Sequence, residues 1–135
     1  MYEQSSELEA LAGEVISGHE NLAELEDCRI AYLYSDKKKK SQGKTVFADT
    51  ELVKEKYRAL LPYDFIITFY QPNCEKLNTE AMSRLMYHEL RHVGIKSDGR
   101  FYVRPHDLED FRDVVQAWGV DWIEGRSGNG YSGRA

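Results

Sequence analysis

The chain has 135 residues, of which 41% are apolar, 30% charged and 12% aromatic, the profile of one globular domain with its own core rather than of a disordered or fibrous chain. Its formal charge is −5, and its basic residues are scattered except for Lys37 to Lys40; no broad cationic face for phosphate neutralisation is apparent, so nucleic acid is not the expected partner. Two cysteines, Cys28 and Cys74, stand far apart and outside any CxxC spacing, which excludes a disulfide scaffold and a thiolate zinc site and leaves two reduced, partly buried thiols.

From the N-terminus, Leu8, Leu11, Ala12, Val15 and Ile16 recur at helical spacing behind Ser5 and Ser6, so a capped amphipathic helix is predicted over residues 5–17. Residues 29–34 (RIAYLY) and 44–48 (KTVFA) are short and rich in β-branched and aromatic side chains, as strands are. The lysine-rich stretch between them, 35–43, reads as a solvated loop. Thr50, Leu52, Val53, Tyr57, Leu60 and Leu61 predict a second helix, closed by Pro62. Residues 63–70 (YDFIITFY) form a nearly continuous apolar run, as expected of a central strand covered on both faces.

After Pro72, Asn78 can cap a helix carrying Leu77, Ala81, Met82, Leu85, Met86, Leu90 and Val93, apolar around much of its circumference and therefore buried. Gly94 stands where a left-handed cap would end it. Residues 101–103 can form a short strand, and Asp107 can cap a last helix bearing Leu108, Phe111, Val114, Val115 and Trp118. A single domain is expected over 1–124, with the glycine-rich residues 125–135 as a flexible tail. The first residues lack the basic start and apolar run of a secretory signal, and no apolar stretch approaches the roughly 20 residues needed to span a bilayer. A cytoplasmic location without membrane partners is expected.

Residues 88–92 read His-Glu-Leu-Arg-His, an HExxH motif within the strongest predicted helix. Residues four apart on a helix share a face, so His88 and His92 can turn imidazole nitrogens onto one ion about 2.0–2.1 Å away. Glu89 then lies beside the metal, placed to take a proton from metal-bound water as general base. In shuffled chains of this composition the motif arises by accident on the order of one time in a hundred. Arg91, between the histidines, is assigned no role.

A catalytic zinc keeps three protein ligands and one open position, so a third ligand is required downstream. His106 is the favoured residue, since neutral imidazole suits zinc. Asp107, Glu109 and Asp110 compete for the place, although acidic residues in a first helical turn commonly serve only the helix dipole. The metzincin pattern HExxHxxGxxH is absent. His19 reads as a solvated histidine in a polar turn. Tyr63, Tyr87 and Tyr102 read as aromatics at the edge of the core, any one of which could serve an oxyanion.

The segments YDFIITFYQ, NTEAMSRLMYHELRHVG and RPHDLEDFRDVVQAWGVDW together resemble the phage metallopeptidase family, small HExxH proteins of phages and prophages similar in style to SprT-like minimal zincins. The resemblance spans Ile30 to Trp122. It implies an α+β fold, a small mixed sheet of three to four strands packed on a buried active-site helix with flanking helices, and Zn2+ held by His88, His92 and His106. For a phage-encoded chain the compartment would be the host cytoplasm. A metallopeptidase acting on a peptide or protein is the leading expectation. A zinc amidase on a non-protein substrate and a zinc-stapled interaction protein remain open beside it.

Overall fold

In the computed structural model, which describes residues 1–105, a four-stranded mixed sheet carries helices on one face. The expected last helix, the tail and His106 lie outside the described residues. In chain order the elements are β1 (Tyr2–Gln4), α1 (Ser6–Ser17), a 3-10 helix (Glu20–Asp27), β2 (Ile30–Ser35), β3 (Lys40–Ser41), β4 (Lys44–Thr45), β5 (Ala48–Leu52), α2 (Glu55–Arg58), β6 (Phe65–Tyr70), α3 (Gln71–Cys74), α4 (Thr79–Leu90), β7 (Val93–Ile95) and β8 (Phe101–Val103). The sheet order is β1-β2-β6-β5, with β2 and β6 parallel and both outer strands antiparallel to their neighbours. None of the described helices is long and apolar enough to cross a membrane.

The strand of residues 65–70 is central, as its apolar run requires. Phe65, Ile67 and Phe69 are fully buried on the face that meets the helices. Alternation along β5 puts Ala48, Thr50 and Leu52 opposite Phe69, Ile67 and Phe65 on that same face. Against it pack α1, through Leu8, Ala12 and Val15, and α4, through Ala81, Leu85, Met86 and Leu90. Both helices start where side-chain caps allow: Ser5 accepts the Leu8 amide at 3.1 Å and Asn78 the Ala81 amide at 2.8 Å. Cys28 is half-buried and Cys74 buried, both as free thiols.

Three expectations are corrected. The segment 44–48 is not one strand, for Lys44–Thr45 folds back on Lys40–Ser41 as a hairpin while Ala48–Leu52 joins the main sheet. Gln42 and Gly43 both take positive φ, 53° and 77°, as a tight two-residue hairpin turn demands. The predicted second helix shrinks to one turn, Glu55–Arg58, and Thr50 to Leu52 are extended, because pairing with β6 satisfies their backbone and buries Leu52 against the core. At the end of α4, Gly94 is no left-handed cap. The helix closes at Leu90, and Gly94 sits in β7, where an added Cβ would meet the Tyr102 ring at 2.6 Å. Close approach of the β7–β8 pair, rather than backbone chirality, requires the glycine.

Asp64 fixes where the parallel pair begins. Its carboxylate accepts from the Arg29 amide at 3.0 Å and the Arg29 guanidinium at 3.1 Å, and Arg58 stands 3.6 Å away. Burial alone would raise this carboxyl, but the hydrogen bonds from Arg29 and the charges of Arg29 and Arg58 together hold it below the usual carboxylate value. With the folded value depressed, the stabilisation is present above the unfolded pKa of about 3.9 and is lost as pH falls through the folded value. We therefore expect Asp64→Ala to cost about 1–3 kcal/mol at neutral pH, and less in acid well below pH 4. Urea unfolding at both pH values checks it. An equal loss in both would mean that the ionised carboxylate contributes nothing.

Candidate metal centre

Helix α4 packs against both α1 and β5, so its inward-facing polar residues must be satisfied inside the fold. His88 occupies its last turn, and His92 lies just beyond the helix end rather than inside it. The helical turn nevertheless continues through the motif, with the Arg91 amide donating to Tyr87 O at 3.0 Å and the His92 amide to Glu89 O at 3.0 Å. As a result the two Nε2 atoms are 3.4 Å apart, with the rings edge to face at 5.0 Å.

That separation tests the site. Two nitrogens each about 2.0–2.1 Å from a tetrahedral ion stand roughly 3.3–3.4 Å from each other, so the histidine pair fits a shared metal without rearrangement. The ring of His92 is also oriented from behind, its Nδ1 lying 2.6 Å from the carbonyl oxygen of Arg104. A backbone carbonyl there selects the Nδ1–H tautomer and turns the Nε2 lone pair toward His88, the usual support of a metal-binding histidine. Potential ligand atoms of His88, Glu89 and His92 all fall within 4.8 Å of one another, the one such group of three among the described residues. The motif's residues thus converge on one point.

Glu89 is buried, with 4% of its surface exposed. Thr50 of β5, which the sequence reading assigned to a helix, brings its hydroxyl to 2.8 Å from Glu89 Oε1 and 3.1 Å from Glu89 O. No local pattern signals this contact, for the two residues are 39 positions apart. The nearby thiol of Cys74 is pushed up to about 12, by burial first and then by the charge of Glu89, so it stays protonated and is no nucleophile. Helix α4 therefore sets one carboxylate, held by Thr50 of the sheet, beside the two imidazoles.

A family model described as "Putative phage metallopeptidase" matches residues 1–126. The chain belongs to this family. No curated protein and no solved structure matches it. Within the family reading, the His88–Glu89–His92 group is the candidate metal centre of a metallopeptidase. His19 stands apart from it, exposed, with Nδ1 2.8 Å from Val15 O and its ring against Tyr87 at 4.5 Å. Tyr63 lies toward the opposite edge of the sheet, where its hydroxyl accepts from Gln4 of β1, while the Tyr87 hydroxyl accepts from Asn21 and Tyr102 packs over Gly94.

These positions predict a binding pattern. His88→Ala and His92→Ala should each lose most of the affinity for a divalent transition ion, and His19→Ala should keep it. Calorimetric titration of the metal-stripped proteins decides the matter; a His19 variant as impaired as the other two would void the assignment.

Proposed function

We propose that the protein is a zinc-dependent peptidase in which His88, His92 and His106 hold the ion and Glu89 is the general base. The observation that carries the proposal is the 3.4 Å spacing of the two Nε2 atoms beside a buried carboxylate. His106 is supported by chain proximity, since the Arg104 carbonyl bonded to His92 lies two residues before it and two residues reach at most about 7 Å. Imidazole donors suit zinc better than hard oxygen-seeking cations. When bound, the ion would acidify the attacking water and polarise the scissile carbonyl. Glu89 takes the proton from that water and can pass it to the departing amine. Thr50 holds the carboxylate while this happens.

A peptide rather than a small amide is favoured by β5. Among the described residues it is the terminal strand of the main sheet, paired with β6 alone although β8 packs near it, and it lies beside α4 with Thr50 touching Glu89. An extended chain added to that edge would run past the base. The substrate class proposed is therefore a peptide or an unfolded protein segment.

Two experiments test the reading. Zinc-loaded protein should cut members of a peptide library or an unfolded protein, and Glu89→Gln, which keeps shape and metal but cannot accept the proton, should reduce the rate about 10²–10⁴-fold. Undiminished cleavage by Glu89→Gln would remove Glu89 from the chemistry, and four protein ligands on the ion with no activity would favour a structural zinc. Separately, His106→Ala should weaken zinc binding far more than Glu109→Ala or Asp110→Ala. The reverse order would assign the third ligand to a carboxylate.

A further inference from the structure

The densest run of basic residues in this acidic chain stands just before the edge strand. Residues 37–47 contain Lys37, Lys38, Lys39, Lys40 and Lys44 and no acidic residue. Lys37, Lys38, Lys40 and Lys44 are exposed, on or beside the β3–β4 hairpin. The carboxylates that flank this segment are engaged elsewhere: Asp36 with the N-terminal ammonium at 2.8 Å, and Asp49 with Lys39 and with the Tyr70 hydroxyl. Among the described residues, none of the four exposed lysines has an acidic partner.

The hairpin is also held in place. Lys39 is anchored to Asp49 of β5, and the Asn73 amide donates to Lys39 O at 3.0 Å and to Val46 O at 2.8 Å, clamping both stems. Asp49 adjoins Thr50, the strand residue that touches Glu89. From Thr50 to Ala48, the first residue of β5, is about 7 Å along the strand, and the hairpin begins just beyond. The hairpin lysines therefore stand at the chain-entry end of β5, Lys44 being on the order of 20 Å of extended chain before Thr50, and their anchor at Asp49 and Tyr70 is on the face of the strand away from Glu89. Four exposed lysines are normally a solvated tip, but these are clamped at both stems and left uncompensated at a site's approach.

We propose that this hairpin selects acidic peptides: a substrate lying along β5 carries Asp or Glu about five or six residues from the scissile bond, where it passes Lys40 and Lys44. The inference rests on the peptidase reading and adds its substrate preference. The overall charge of −5 repels acidic chains at long range, so the local patch both admits such a segment and sets its position. A long polyanion such as duplex DNA would meet the rest of the acidic surface, which favours a peptide as the occupant.

The test is a binding measurement on zinc-loaded Glu89→Gln protein, using fluorescence anisotropy of two labelled peptides that differ only in a block of glutamates against glutamines. The acidic peptide should bind about tenfold more tightly, and the advantage should vanish in the protein that also carries Lys37→Gln, Lys38→Gln, Lys40→Gln and Lys44→Gln. It should also fade with added salt when the hairpin is intact, a control that needs no hairpin variant. Equal affinity for the two peptides, or a preference that survives loss of the lysines, overturns the proposal. So does a DNA duplex that binds more tightly than the acidic peptide and is released by the same substitutions. Because binding is read in a protein unable to cut, absent hydrolysis by the wild type with the acidic preference intact counts against the peptidase reading alone. Cleavage without the preference counts against the hairpin alone.

Discussion

A buried carboxylate must find hydrogen-bond donors or give up its charge, and in this protein the hydroxyl of Thr50 reaches Glu89 from the neighbouring strand. The contact joins the last strand of the sheet to the end of the motif helix, so the geometry of the site depends on the register of β5 as much as on α4. A shift of β5 by one residue would turn Thr50 to the other face and bring Asp49 or Glu51 toward Glu89. The register is held by Leu52 against the core on one side and by the Lys39–Asp49–Tyr70 cluster on the other.

The second histidine depends on a different piece of backbone. Because α4 ends at Leu90 and the chain turns directly into β7, the β7–β8 pair returns to the helix end and places the Arg104 carbonyl behind His92. Close packing of that pair needs a residue without Cβ at position 94, beneath the Tyr102 ring. The glycine thus contributes to the candidate metal centre indirectly, by letting the strand that orients His92 approach.

The sheet is asymmetric in a way that suits a site at one margin. Its centre, Phe65, Ile67 and Phe69, is purely apolar and fully buried, and the parallel β2–β6 pair is locked at its start by Asp64. Polar chemistry collects at the β5 side, where Thr50 and Glu89 meet on the helix-facing side and Asp49, Lys39 and Tyr70 meet on the other. An edge strand is where backbone hydrogen-bonding capacity is left over, and among the described residues that edge lies at the same margin as Glu89.

Much of this was legible in the chain itself. HExxH spacing identifies His88, Glu89 and His92 because helical periodicity alone brings residues four apart together, and the apolar run of residues 65–70 identifies the central strand because only a strand covered on both faces tolerates it. Ser5 and Asn78 are readable as caps since capping is a contact within one turn. Thr50, the Arg104 carbonyl, Gly94 beneath Tyr102 and the clamped hairpin are different in kind. Their apolar neighbours, Leu52, Val53 and Tyr57, fit a helix as well as a strand by spacing, and only pairing with β6 decides between them. The sequence determined that His88, Glu89 and His92 come together, since that follows from local helical geometry. Tertiary structure decided what holds Glu89, what orients His92 and which strand runs beside them, because each of those is a contact between segments whose separation in the chain carries no pattern.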